Sequence, residues 1–245
     1  MKNNKLLIPV LALLVFCGQV NFVHAGTFDS NESEIILEEN DPNQVLARYI
    51  QAVGGKENVA KIKNAVMTME AELQGMTILI KGISDQENGR LVQETSVMGN
   101  VASKTILANG KGIMIAMGQE QELPEEMITL MKAQTYVFPE EHYEALGYQL
   151  ELRGTEEVDG EEAHTLIITA PNGMKTVEYY SVKSNLKLRT SSDVSGEVTY
   201  SNYQEIDGVK VPMTMTIKNP MMPMALEAKV TSMKFNQELS DEDFK

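Results

Sequence analysis

The sequence predicts a mainly β, α+β fold in which one large, curved antiparallel sheet forms an open half-barrel with helices packed on its concave face. Three observations predict it. From Ala65 onward, apolar residues recur at every second position through most of the chain, the period of half-buried strands. These runs are punctuated by Asn88-Gly89, Asn109-Gly110, Asp159-Gly160, Asn172-Gly173 and Asp207-Gly208. Such pairs favour hairpins, because a type I′ turn needs positive φ at both central positions. Helical periodicity is confined to a segment before the first strand and one later excursion, so strands do not alternate with crossover helices as in a parallel sheet. A closed barrel would leave these amphipathic helices nowhere to bury their stripes; an open half-barrel receives them.

In chain order, residues 1–25 read as a secretory signal peptide: Lys2 and Lys5, an apolar run over residues 6–16, then Val23-His24-Ala25 before Gly26. The run is well short of the roughly 20 apolar residues that a spanning helix needs. Export to the periplasm is the expectation. Cys17 offers a lipid-anchored alternative, opposed by the bulky Phe16 before it; if Cys17 leaves with the signal, no thiol or disulfide chemistry remains. Residues 26–40 are polar and acidic without sustained period and read as a flexible leader, so residues 41–245 form a single domain.

That domain opens with Asp41-Pro42, an N-cap and a first-turn proline. Val45, Leu46, Tyr49, Ile50 and Val53 make one apolar stripe, ended by Gly54-Gly55. A shorter helical piece follows to about Lys63, with Val59 and Ile62 inward. The alternating runs are then "VMTMEAEL", "TILIKG", "RLVQETSVM", "VASKTILA", "GIMIAM", "YQLELRG", "AHTLIITA", "MKTVEYYSV", "LKLRTSS", "GEVTYSNYQEI", "VKVPMTMTIK" and "ALEAKVTSMKF". They amount to roughly eleven strands. The excursion lies between the fifth and sixth of these runs. Pro124 begins a helix with Met127, Leu130 and Met131 on one face, and Pro139 opens a short helical stretch through Leu146. The helix over residues 124–133 is expected to fold back over the sheet as a lid.

The formal charge of −14 disfavours nucleic acid and anionic surfaces as partners, and no Lys/Arg cluster offsets it. The acidic doublets Glu125-Glu126, Glu140-Glu141, Glu156-Glu157 and Glu161-Glu162 read as solvated loop and helix surface. Beyond the signal, histidine occurs only as His142 and His164, neither in a zinc-binding spacing, and there is no Gly-x-Ser-x-Gly elbow, P-loop or Gly-x-Gly-x-x-Gly. Glu141, His142 and Glu144 would not converge on a short helix, and both histidines read as exposed. The sequence therefore predicts no enzyme, no cofactor and no metal site of this kind.

The segment "VLARYIQAVGGKENVAKIKNAVMTMEAEL" resembles the opening of the bacterial lipoprotein-carrier (LolA-like) outer-membrane lipoprotein-sorting family, in the form common in the Bacteroidota. "GTEEVDGEEAHTLIITAPNG" and "YSNYQEIDGVKVPMTMTI" are similar to its later hairpins, and "FNQELSDEDFK" to its closing segment. The resemblance spans residues 41–245 and implies a half-barrel closed by helices around an apolar cavity for acyl chains. The carrier uses a strand arginine to hold its lid. Arg48, Arg90, Arg153 and Arg189 do not sit in a matching motif, so the resemblance transfers no individual functional residue.

Sixteen methionines, no tryptophan and six phenylalanines make an unusually adaptable set of apolar side chains. Residues two apart on a strand share a face, so Met213 and Met215 join Val211 and Ile217, as Met67 and Met69 join Ala71. The expected cavity lining is Met67, Met69, Leu73, Ile78, Ile80, Ile113, Ile115, Met213, Met215 and Ile217, with Met127 and Met131 from the lid. The expected function is to bind a lipid or lipidated protein, as a monomer, with transient contact to envelope membranes or a membrane partner. Two alternatives stay open. Met221-Met222-x-Met224, which follows Pro220 and has Pro223 as its x, suits copper(I), which thioethers select, or forms an apolar tip at the cavity mouth. A half-barrel filled by its own helices would be a ligand-free interaction module.

Overall fold

The computed structural model describes residues 41–193, 195–219 and 224–245. The signal peptide, the leader, Cys17 and most of the Pro-Met-Met-Pro-Met stretch lie outside the described residues. Helix α1, Pro42–Val53, starts where Asp41 accepts a hydrogen bond from the Asn43 N–H at 2.9 Å, and it buries the stripe read from the sequence. It ends at Gly54, with φ 142°, a position that needs glycine because a Cβ there would stand 2.4 Å from the Gly208 carbonyl oxygen. Helix α2 is shorter than expected, Lys56–Val59, although Val59 and Ile62 are both buried.

Thirteen antiparallel strands follow: β1 Asn64–Leu73, β2 Met76–Asp85, β3 Arg90–Val97, β4 Asn100–Ala108, β5 Lys111–Ala116, β6 Gln119–Glu122, β7 Gln149–Val158, β8 Glu161–Thr169, β9 Lys175–Ser181, β10 Lys187–Ser192, β11 Gly196–Ile206, β12 Val209–Lys218 and β13 Leu226–Phe235. The sheet runs β6-β5-β4-β3-β2-β1-β13-β12-β11-β10-β9-β8-β7. The first and last strands of the domain thus pair at its centre, and β6 and β7, neighbours in sequence, form its two open edges. The chain joining them, residues 123–148, must cross the mouth of the half-barrel. It does so as α3, Glu125–Met131, followed by 3-10 turns Lys132–Thr135 and Pro139–Glu141, the second of these shorter than the expected helical stretch. A strap replaces the hydrogen bonds that would close a barrel.

Turn geometry follows the sequence in part. Both central residues have positive φ at Asn109-Gly110, Asp159-Gly160 and Asp207-Gly208, whereas at Asn88-Gly89 and Asn172-Gly173 only the glycine does. Three more hairpins turn on Gln74-Gly75, Met98-Gly99 and Met117-Gly118, again with positive φ at both positions. On the convex face, Phe244 of the C-terminal 3-10 turn Asp241–Phe244 packs on Ile83, Val92 and Ile106. Arg90 stacks over Phe244 at 4.0 Å and bridges Asp85 and Asp241, so this arginine fastens the C-terminus.

Candidate functional site

Facing residues of paired strands share a side of the sheet, which fixes what lines the concave face. Met69, Leu73, Ile78, Ile80 and Ile217 lie there, but packed with Leu226, Ala228 and Val230 into solid core. Beside that core the sheet leaves a cavity of about 310 Å³. Met67, Met215, Val230 and Met233 form its wall, and Tyr136, Val137 and Phe138 of the strap form its roof. Of the expected lining, only Met67 and Met215 border this space. Met213 packs beside the cores on either side of it.

Two parts of the expectation are corrected. Ile113 pairs with Ile106, whose side chain packs on the convex face with Phe244, and Ile115 shares that phase, so both point away from the cavity. Met127 and Met131 do not cover the cavity either. With Ile128 they pack on Leu91, Leu107, Leu123 and Met114, which makes α3 part of a core over β3 to β5. The cover is the stretch after α3, where aromatic residues replace methionines.

At one end the cavity turns polar, with Tyr49, Glu140, Lys187, Tyr200 and Tyr203 on its boundary. Glu140 comes from the strap, Glu178 from β9 and Lys187 from the start of β10. They are 7%, 4% and 8% exposed, so the charges are held inside the protein. The reading of Glu140 as solvated surface is therefore wrong. Lys187 Nζ donates to Glu140 Oε1 at 2.5 Å and to Glu178 Oε1 at 2.8 Å. The Tyr143 hydroxyl donates to Glu178 Oε1 at 3.0 Å, and the Tyr180 hydroxyl to Glu178 Oε2 at 2.5 Å. Tyr203 donates to the Lys187 backbone carbonyl at 2.8 Å, and Tyr49 meets Tyr180 edge-on at 5.2 Å.

Electrostatics follow from this burial. Desolvation pulls the Lys187 ammonium down, but Glu140 and Glu178 override it and hold it charged far above its ordinary range. Burial pushes the Glu140 carboxyl up; Lys187 pulls it back without cancelling the rise, and Glu178 adds to it. Burial first, then the nearby carboxylates, keeps Tyr49, Tyr143 and Tyr180 protonated well beyond the usual tyrosine range. His142 is half-buried rather than exposed, stacked on Tyr136 at 3.9 Å, and burial lowers its pKa against the opposing pull of Glu141. Among the described residues, no three His, Cys, Asp or Glu side chains are grouped as a metal site.

Neither a protein-family model nor a curated protein matches the sequence. Solved structures match the fold. A DUF1329 family protein from Desulfovibrio piger is 15% identical with a TM-score of 0.55, over 84% of this chain and 98% of its own. A LolA superfamily protein from Nitrosomonas europaea is 12% identical with a TM-score of 0.55, over 84% and 98%. A domain from Vibrio parahaemolyticus described as an outer membrane lipoprotein-sorting protein is 15% identical with a TM-score of 0.53, over 83% and 95%. Thirteen antiparallel strands in one unclosed sheet, strapped across the mouth and hollow on the concave side, give this chain an open half-barrel fold similar to that of the LolA superfamily protein.

Proposed function

We propose that the protein is a non-enzymatic carrier of the bacterial cell envelope that holds an acyl chain of a lipid or lipidated protein in its concave cavity. The observation that carries this reading is the cavity itself, about 310 Å³ between a methionine-rich sheet wall and an aromatic strap. Its size falls at the lower end of ligand pockets, which run roughly 300–1,000 Å³. Each methylene placed there contributes about 0.8 kcal/mol, and methionine walls re-pack around guests of different shape. The shared fold with a lipoprotein-sorting domain supports the assignment. The signal-like first 25 residues support a periplasmic location. The carrier works as a monomer and touches membranes or a membrane partner only in transit.

A second reading has its own observation. Met67, Met215 and Met233 all line this cavity, and thioethers select copper(I). Native mass spectrometry with lipid extraction, on protein purified from its own envelope without detergent, separates the readings. Bound mass that extracts as phospholipid or acylated peptide establishes the carrier. Apo protein that takes up one copper and no lipid moves the function to metal handling. Protein that gains nothing from either is a filled interaction module.

A further inference from the structure

The buried cluster is out of balance. It sets two carboxylates, Glu140 and Glu178, against one ammonium, Lys187. Both Glu178 oxygens accept hydrogen bonds, as does Glu140 Oε1, but Glu140 Oε2 is buried and receives none from the protein. An orphaned buried acceptor is costly, and more so when charged. Glu140 borders the cavity, so a turn of its side chain brings Oε2 to a donor arriving there. Two of the neighbouring hydroxyls have spent their protons elsewhere, Tyr203 on the Lys187 carbonyl and Tyr200 on Thr190 Oγ1, so these two present lone pairs. The polar end of the cavity thus offers Glu140 Oε2 and the Tyr200 and Tyr203 lone pairs as acceptors.

We propose, resting on the carrier reading above, that the ligand is an amphiphile whose head group donates hydrogen bonds, an ammonium or a hydroxyl seated on Glu140 Oε2. Its alkyl chain then runs along Met67, Met215, Val230 and Met233. An ammonium also restores charge balance. A carboxylate or phosphate head would face Glu140 with Lys187 already engaged by two carboxylates.

Calorimetric titration of the purified protein with decylamine, decanol and decanoate tests this. Decylamine should bind at least about tenfold more tightly than decanoate, the scale of one charge-assisted hydrogen bond, with decanol between them. Glu140→Gln should collapse the gap between amine and carboxylate while decanol still binds. A gap that survives in Glu140→Gln reports the acidic surface of the chain and overturns the head-group assignment. Decanoate binding as tightly as decylamine overturns it too, leaving the carrier reading intact, whereas no binding by any of the three overturns both. If thermal melting shows Glu140→Gln unfolded, Glu140→Asp, which withdraws the carboxylate from the head, must weaken the amine selectively or the assignment falls.

An independent observation concerns one end of the sheet. Because β1 runs antiparallel to β2 and β13, the β1–β2, β3–β4, β5–β6 and β12–β13 connections all emerge at the same end. In sheet order the first three are adjacent hairpins, and β12 and β13 lie beside them. The connections at residues 74–77, 98–101 and 117–119 contain no charged residue, and neither do the described residues between β12 and β13, Asn219, Met224 and Ala225. Of the large hydrophobics exposed among the described residues, Met98, Val101, Met117 and Met224 lie in these connections or directly beside them, and Leu79 lies nearby on β2; only Val182 is at the other end. Further along the same end, Asp193 between β10 and β11 and Lys175 at the start of β9 bring charge, so the uncharged rim spans β6 to β12; the other end carries Glu87, Lys111, Asp159, Lys183 and Asp207.

We infer that this rim seats on a zwitterionic lipid surface. Separate tips on neighbouring hairpins form no groove for a peptide, but flexible uncharged side chains at one level can enter a headgroup layer. The overall charge of −14 repels an anionic surface, which makes a zwitterionic one the match. The chain has no tryptophan, so a single Val101→Trp is a clean reporter. Phosphatidylcholine vesicles should blue-shift its fluorescence, Val182→Trp should not respond, and adding Met98→Glu and Met117→Glu should abolish the Val101→Trp shift. No shift at Val101→Trp, or an equal shift at Val182→Trp, overturns the inference.

Discussion

The two halves of the concave face are written in the same alternating code and do opposite things. Toward the uncharged rim, Met69, Leu73, Ile78, Ile80, Ile217 and Leu226 interlock into solid core. Toward α1, the same strands stand apart from the strap, leaving a cavity whose far end holds Lys187 between two glutamates. The difference is made by what crosses the mouth. Bulky aromatics of residues 136–138 bridge the space, and the cluster anchors the strap through Glu140. Alternation specifies a wall, and the strap decides whether the wall is filled.

Alkaline pH should break the two halves apart most strongly. Tyr49, Tyr143, Tyr180, Tyr200, Tyr203 and Lys187 all have folded pKa values raised above their ordinary 10.0 and 10.5, the tyrosines by burial, Lys187 by its glutamates against burial. In the unfolded chain they lose protons near those ordinary values, so above about pH 10 the fold binds more protons than the unfolded state and stability falls. Each such group costs about 1.4 kcal/mol per pH unit. Denaturant unfolding followed from neutral pH upward should collapse past pH 10 together with tyrosinate formation; a flat profile would mean that the tyrosines are hydrated.

Lys187→Met should cost about 3–5 kcal/mol, because it leaves Glu140 and Glu178 buried without a counter-charge. Chemical denaturation measures it, and a loss below about 1 kcal/mol, the value of an exposed pair, would place the cluster in solvent. Substitutions on β12 then compare the halves directly. Ile217→Ala in the packed half should cost about 2–5 kcal/mol and leave ligand affinity alone. Met215→Ala, two residues away on the same face, enlarges an existing cavity; it should cost less than Ile217→Ala and change the affinity. Equal costs with equal ligand effects would mean that the two halves are not distinct.

The strands, α1 and the open sheet were legible because each follows from a local period, and the packed half from alternation alone. β6 escaped because "QEQE" has no apolar residue; it is a fully exposed edge, where charge discourages pairing with another chain. Turns at Gln74-Gly75, Met98-Gly99 and Met117-Gly118 escaped because Gln and Met are not the usual residues at positive φ. The cluster was illegible for a deeper reason. Glu140, Glu178 and Lys187 come from three elements, and each alone reads as surface. In "NLKLRTSS" the alternation offers Leu186 and Leu188 to the core, yet the ladder shifts register between Lys187 and Arg189, and Lys187 is the buried residue. Only the sheet order and the strap bring the three charges together.

The smallest effect tests why the cavity half is hollow. Gly82 pairs with Met67 at the cavity wall, and glycine within a strand neither packs nor restrains the unfolded chain. Its φ is not positive, and an added Cβ would meet only the Met67 Cε, at an ordinary 3.7 Å. Gly82→Ala should therefore stabilise the protein by about 0.4–1 kcal/mol, mostly by narrowing the unfolded ensemble. The methyl group also takes space from the guest, so ligand affinity should fall as stability rises. A thermal melt and a lipid titration on the same variant check both signs. Stability and affinity moving in opposite directions would mean that glycine at this position keeps the cavity open at the expense of the fold. If both fall together, Met67 has no room to yield and the wall at this point is packed core, like the half nearer the rim.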